Sequence, residues 1–289
     1  MLDITKYAST ISLYGGSEVK KTYYINNKKY MVKFPDPIRE LRNNISYVNN
    51  QYSEYIGCKI FELFNIDAQK VELVKCIVDQ KEKIAVMCED FLEEDEILVE
   101  FKNLSYSLNL EKKYTNDLND IFEMINKVEN LEEKVLFEDK FWRIFVVDTL
   151  IGNVDRHLGN WALILKDDKY RLSPVYDCGS CLHPLLNEDK IVELINSSEL
   201  KNVALNLKTA YKLNGKTLNY LDVYKIMPPK LAVALLDTYD LIDMNKIKKI
   251  IYSIDTISNN MKEFYYKTIL YRKTNIIDRY YNMINNKEN

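Results

Sequence analysis

Over roughly the first hundred residues, short apolar stretches alternate with turn-forming residues, and the pattern predicts strands with one helix among them. ISLYGGSEVKKTYYIN carries β-branched and aromatic residues on both sides of Gly15-Gly16, which predicts two strands joined by a glycine turn. KKYMVKFP reads as a short strand stopped by Pro35 and Pro37, since proline cannot donate to a ladder. Between Gln51 and Phe64 the apolar and aromatic residues fall at 52, 55, 56, 60, 63 and 64, the spacing of one helical face. VELVKCIV and KIAVMCEDF return to strand character, with DQKE as the turn between them.

From about Leu98 the pattern turns helical, apart from a polar connection around residues 103–116. VLFEDKFWRIFVVDTLIG predicts a strongly apolar helix. WALIL and YRLSPVY then flank the polar turn KDDK as a β-hairpin. From Glu188 onward almost everything reads as helix, with Pro228-Pro229 the clearest punctuation. No repeat, low-complexity segment or flexible linker interrupts the chain. The expectation is an α+β, bilobal fold. It forms a single domain over residues 1–289, with a small β-rich lobe to about residue 92 and a larger, mostly helical lobe from about residue 93.

Composition narrows the classes of function. At 289 residues, 47% hydrophobic and 29% charged, the chain can bury a substantial core. A net charge of −3 offers no general attraction for a nucleic-acid backbone, so no direct nucleic-acid binding is expected. MLDITKYAST lacks the charged and apolar regions of a secretory signal, and Arg143 and Asp148 break the longest apolar run, so no membrane association is expected. Five scattered cysteines suit reduced thiols and a cytoplasmic location.

The chemistry concentrates in LIGNVDRHLGNWALIL, residues 150–165. If WALIL pairs with YRLSPV around KDDK, the register sets Asn160 near position 175, and Asp177 lies just past the end of the partner strand. Asp155 sits in the loop that enters the hairpin. One mouth therefore presents Asp155, Asn160 and Asp177, a carboxylate to orient a hydroxyl and an oxygen pair suited to Mg2+. The spacing D-x4-N is that of a protein-kinase catalytic loop, and Asp177-Cys178-Gly179 stands where such enzymes carry their metal-binding D-x-G. Upstream, Gly15-Gly16-Ser17 can lay N–H groups over phosphates, Lys33 can reach them, and Glu54 on the next helix can hold Lys33. At the strand end, backbone groups of Glu89 and Phe91 are candidates to bond an adenine edge.

Each feature has a plainer reading beside it. Asp155 can cap a turn, Lys33 can lie along the surface with its charge in water, and Gly15-Gly16 can be only a hairpin turn. Arg156 and His157 read as residues that structure the loop, with His157 tied to backbone or to Asp177. Cys178, Cys181 and His183 form C-x2-C-x-H, but no second pair at zinc-finger spacing exists. The acidic run EDFLEEDE is a solvated face that, beside the cleft, would favour a basic substrate.

The segments ISLYGGSEVKK, YMVKFPD, NNQYSEYIGCKIFELFNID, IAVMCEDF, DTLIGNVDRHLGNWALIL and LSPVYDCGS resemble, in order, the HipA-like serine/threonine kinases. The likeness is to their smaller CtkA-like members, which lack an extra N-terminal subdomain. The DRHxxN element is shared with phosphoinositide kinases, whereas GNxDRHxxN followed by PxYD is more specific to the HipA-like group. The resemblance implies a protein-kinase-like fold, with ATP and Mg2+ as cofactors and a protein Ser/Thr hydroxyl as acceptor. It makes Asp155 the catalytic aspartate, Asn160 and Asp177 the metal ligands and Lys33 the phosphate-contacting lysine. Autophosphorylation of the glycine loop would fall on Ser12, with Ser17 beside it, and a toxin role with an antitoxin or regulatory partner is implied. Relative to the family's usual loop, one residue is inserted between Glu18 and Lys20. A small-molecule or lipid kinase with the same catalytic floor, or a non-catalytic nucleotide-binding module, are the rival readings.

Overall fold

The structure, a computed structural model, describes residues 1–11, 20–35, 49–78 and 80–286. The predicted glycine turn, with Ser12, Gly15, Gly16 and Ser17, lies outside those residues. Strands β1 (Leu2–Asp3), β2 (Ser9–Ile11), β3 (Lys20–Ile25), β4 (Lys28–Lys33), β5 (Val71–Val78) and β6 (Lys81–Glu89) form a six-stranded sheet in the order β1-β5-β6-β4-β3-β2. All neighbours are antiparallel except β1 and β5. Between β3 and β4 the chain reverses at Asn26 and Asn27, both left-handed, which suits the right-handed twist of a two-residue hairpin.

Helix α1 (Asn50–Leu63) packs on one face of this sheet. Ile56 and Ile60 of α1 meet Val86 and Cys88, while the alternate residues Ala85 and Met87 join Val32, Phe34 and Val74 on the other face. That alternation is the two-residue period of a strand buried on both sides. The lobes are joined where Val175 exchanges backbone hydrogen bonds with the residues before β5: Gln69 N–H to Val175 O at 2.8 Å, and Val175 N–H to Asp67 O at 2.8 Å.

The second lobe begins with strand β7 (Ile97–Glu100) and helices α2 (Phe101–Ser107), α3 (Leu118–Asn126) and α4 (Phe137–Ile151). Strand β7 pairs with the hairpin β8 (Ala162–Lys166) and β9 (Lys169–Leu172). The hairpin reverses at the left-handed Asp167 and Asp168, and Leu163 faces Leu172. Helix α4 is the axis of the lobe, with Phe141, Trp142 and Phe145 buried and Trp161 stacked on Phe141 at 5.2 Å between ring centroids. Around it lie α5 (Glu188–Ile195), α6 (Glu199–Leu205), strands β10 (Lys208–Leu213) and β11 (Lys216–Asn219), and α7 (Tyr220–Ile226). Helices α8 (Pro229–Tyr239), α9 (Met244–Tyr252), α10 (Asn259–Arg272) and α11 (Asp278–Asn285) complete the lobe. Pro229 opens α8 at its first turn, where its missing N–H costs nothing.

Two elements depart from the sequence reading. Strand β7 lies where helix was expected from about Leu98, because its pairing partner β8 is distant in the chain. The hairpin β10–β11 interrupts the stretch read as helical after Glu188. Its turn is Asn214-Gly215, with φ of 50° and 78°, and Asn-Gly is the strongest short hairpin signal a sequence offers. All five cysteines are buried and none forms a disulfide. Among the described residues no helix is long and apolar enough to cross a membrane.

Candidate active site

A cavity of about 450 Å³ opens between the lobes, lined from above by Lys20, Met31 and Lys33 and from below by Asp155, Asn160, Tyr176 and Asp177. Lys33 ends β4 and is 3% exposed, so its ammonium must find partners inside the protein. It finds two. Lys33 Nζ donates to Glu54 Oε2 at 3.0 Å and to Asp177 Oδ1 at 2.9 Å. Glu54 stands on the first turns of α1 and is 1% exposed. Gly179 permits the approach, since a Cβ there would come within 3.2 Å of Glu54 Oε2.

Asp177 has a φ of 57°, an uncommon conformation outside glycine that aspartate tolerates better than most residues. Burial alone would raise its carboxyl, but the charges of Lys33, Lys20 and Arg156 outweigh that and hold it at about 2. Asp155 behaves oppositely. Burial and the neighbouring Asp177 charge raise its carboxyl, against the pull of His157 and Arg156. Two carboxylates in one mouth are thus pushed apart in acidity, an arrangement that separates a proton acceptor from a permanent anion.

The loop between α4 and β8 holds Asp155 through a buried scaffold. Gly152, left-handed at φ 67°, ends α4. Asn153 donates from Nδ2 to Asp148 Oδ1 at 2.9 Å and accepts the Asp155 N–H at 3.2 Å. Tyr220 donates its hydroxyl hydrogen to the Asn153 carbonyl. Arg156, 2% exposed, grips both oxygens of Asp148 at 3.0 and 3.2 Å and donates to the carbonyls of Asn160 and Tyr176 at 3.3 and 2.5 Å. Asn160 Nδ2 donates to the Asp155 carbonyl at 2.7 Å. That bond uses the amide nitrogen, so the amide oxygen is the donor Asn160 retains for a cation. His157 Nδ1 accepts the Gly159 N–H at 3.0 Å, and its Nε2 lies 3.8 Å from Asp155 Oδ1. Of the two expected ties for His157, backbone or Asp177, the structure shows the backbone one, and the carboxylate beside its other nitrogen is Asp155.

Lys33, Glu54, Asp155, Asn160 and Asp177 are brought together, while Arg156 lies behind the loop. The strand end needs correction. Glu89 gives its N–H to Lys70 O at 2.9 Å and its carbonyl accepts from Gln69 Nε2 at 3.0 Å, and Glu89 does not line the cavity. Its N–H is taken by backbone at the head of β5, its carbonyl is met by the Gln69 side chain, and its own side chain turns out to Lys28 at 2.7 Å. Phe91 does face the cavity, with its ring 5.9 Å from that of Tyr176, and these two rings form an aromatic wall suited to a flat base. Asp148, Asn153, Gln69 and Tyr176 escaped the sequence reading. Asp148 left a signal: a carboxylate inside an apolar helix needs a buried cation, and Arg156 follows eight residues later.

A model of the HipA-like C-terminal domain family matches residues 12–256. The serine/threonine-protein kinase CtkA of Helicobacter pylori is 37% identical over 275 residues, covering 92% of this chain and 82% of that protein. A putative kinase, Y4dM of Sinorhizobium fredii, is 38% identical over 84 residues, 29% of this chain and 20% of that one. The crystal structure of the H. pylori proinflammatory kinase CtkA aligns with a TM-score of 0.85 at 32% identity, over 98% of this chain and 97% of that one. HipA of Shewanella oneidensis MR-1, in complex with HipB and operator DNA, aligns with a TM-score of 0.57 at 13% identity, over 96% of this chain and 68% of that one, a likeness of fold.

Proposed function

This chain belongs to the HipA-like C-terminal domain family, and on that premise we propose that it is a serine/threonine protein kinase using ATP. The observation that carries the reading is the convergence of Lys33, Asp155, Asn160 and Asp177 on one cavity between the lobes, with Glu54 buried behind Lys33 and bonded to it. The aromatic pair Phe91 and Tyr176 supports a base at the back of the cavity, which sets the phosphates toward Lys33. Lys33, held by Glu54, stabilises the charge that grows on the transferring group. Asp155 accepts a hydrogen bond from the acceptor hydroxyl and takes its proton as the new O–P bond forms and ADP departs with the electrons of the old one. A carboxyl raised by its surroundings is a better proton acceptor than an ordinary aspartate. Asn160 and Asp177 present only hard oxygen donors, which fits Mg2+, and the ion when bound would neutralise phosphate charge.

The two lobes act as one unit across a joint near residue 92, and the acceptor is a protein Ser or Thr, with Ser12 and Ser17 as candidates for self-modification. The test is γ-labelled ATP and Mg2+ with the purified protein, alone and with added protein acceptors, beside Asp155→Ala. Label on Ser12, Ser17 or an added protein that disappears in the variant is expected. Nucleotide binding with no label on any protein would overturn the reading and favour a small-molecule acceptor.

A further inference from the structure

Arg272, the last residue of α10, lies outside the cavity and beyond the residues matched by the family model. It is 1% exposed, and among the described residues no carboxylate pairs with it. Its guanidinium is spent on backbone carbonyls at the ends of two helices. Nε donates to Leu150 O at 2.9 Å and Nη2 to Ile151 O at 3.2 Å, both in the last turn of α4, and Nη1 donates to Ala204 O at 3.3 Å in the last turn of α6. These are carbonyls that a helix leaves unsatisfied at its C-terminus, where its dipole also favours a cation. The fit is close: a Cβ on Gly152 would stand 2.7 Å from Arg272 Nη1.

Gly152 and Asn153 lead directly to Asp155, so Arg272 holds the point from which the catalytic loop departs. The other end of the same helix reaches the segment that follows Asp177. Ser258 donates to Glu188 Oε1 at 2.6 Å at the start of α5, and the Phe264 ring lies 5.8 Å from that of His183. One helix therefore braces both strips of chain that carry the acidic pair. The helix widens into a π-turn at Lys273–Ile277 immediately after Arg272, a distortion found disproportionately at functional positions.

We propose that Arg272 is a positioning residue for phosphoryl transfer: by capping α4 from α10 it sets where Asp155 stands, which makes α10 part of the catalytic apparatus. The proposal rests on the kinase reading. Arg272→Lys keeps the charge and loses the fork that reaches several carbonyls together, and Arg272→Gln loses the charge as well. In the full chain, the transfer rate at saturating ATP should fall on the order of 10²-fold, as expected for a small displacement of a reacting group. The ATP concentration giving half-maximal rate should stay within about threefold, because Lys33 and the aromatic wall are untouched.

A folded Arg272→Lys protein with the wild-type rate overturns the proposal. So does a loss of rate that vanishes well below the variant's melting temperature, since that marks a merely structural role. If neither variant folds, native-state hydrogen exchange on the unmodified protein decides. Amides 152–157 and 261–272 opening together uphold the coupling, and separate opening ends it. Wild-type protein that transfers phosphate, with Asp155→Ala silent and Arg272→Lys at full rate, would leave the kinase reading intact and remove only Arg272's part.

Discussion

Two buried ion clusters flank the cleft, and the physics that holds them is the same while their design differs. Arg156 and Asp148 lie eight residues apart, both at most 2% exposed, one cation to one anion, with further donors given to two backbone carbonyls and to Cys178 Sγ. Nothing in that cluster faces the cavity. Lys33, Glu54 and Asp177 come from three distant places in the chain, separated by 21 and 144 residues from the lysine. Two carboxylates share one ammonium, and the Asp177 side chain keeps 33% of its surface exposed toward the cavity. A closed neutral pair resists exchange of partners. A cluster open on one side, with a carboxylate at the cavity edge, leaves an oxygen ligand within reach of what binds there. The first is built to stay and the second to be rearranged by a ligand.

The sharpest way to break that contrast is to remove one anion from each cluster. Asp177→Asn should lower the transfer rate by at least about 10³-fold, equivalent to roughly 4 kcal/mol of barrier, and leave the unfolding midpoint within a few degrees. Asp148→Ala should instead cost about 3–5 kcal/mol of stability, because it leaves the Arg156 guanidinium buried without its anion. Rates and denaturant titrations on both variants check this, and equal stability losses would erase the distinction.

A smaller effect follows from acidity. Asp177 is held at about 2, below its unfolded value, so its ionised form favours the folded state. That contribution is complete above about pH 4 and is lost as pH falls toward 2. The stability difference between wild type and Asp177→Asn should therefore shrink across that window in acid titrations. Asp155 is shifted the other way, so the acid limb of the rate–pH profile should lie above the ordinary aspartate range. The smallest effects belong to the strand end. Phe91→Ala should raise the KM for ATP by about tenfold through lost aromatic contact, and Glu89→Ala should leave it within about twofold. Steady-state kinetics on the pair would test whether the Phe91 ring, and not the Glu89 side chain, meets the nucleotide.

The local half of the design was legible because it depends on neighbours in the chain. KDDK flanked by apolar runs specified a hairpin, and its register placed Asn160 opposite position 175, as Leu163 facing Leu172 requires. Helical spacing after Gln51 set Glu54 on α1, and proline ended β4 just past Lys33. The missed Asn-Gly hairpin at residues 214–215 was equally local, and its signal was present in the chain.

What the sequence by itself determined was therefore the alternation of strand and helix, the two-lobed order and the identity of the acidic residues at the hairpin mouth, all encoded in spacing along a few residues. Only the tertiary structure decided that β7 is a strand, since an edge of four residues exists only beside its distant partner. The same holds for the Glu89 peptide, whose N–H and carbonyl are met by Lys70 and Gln69 at the head of the neighbouring strand β5. Arg272 reaches the end of α4 from 121 or more residues away. Such contacts arise from packing between segments, and no short-range periodicity carries them.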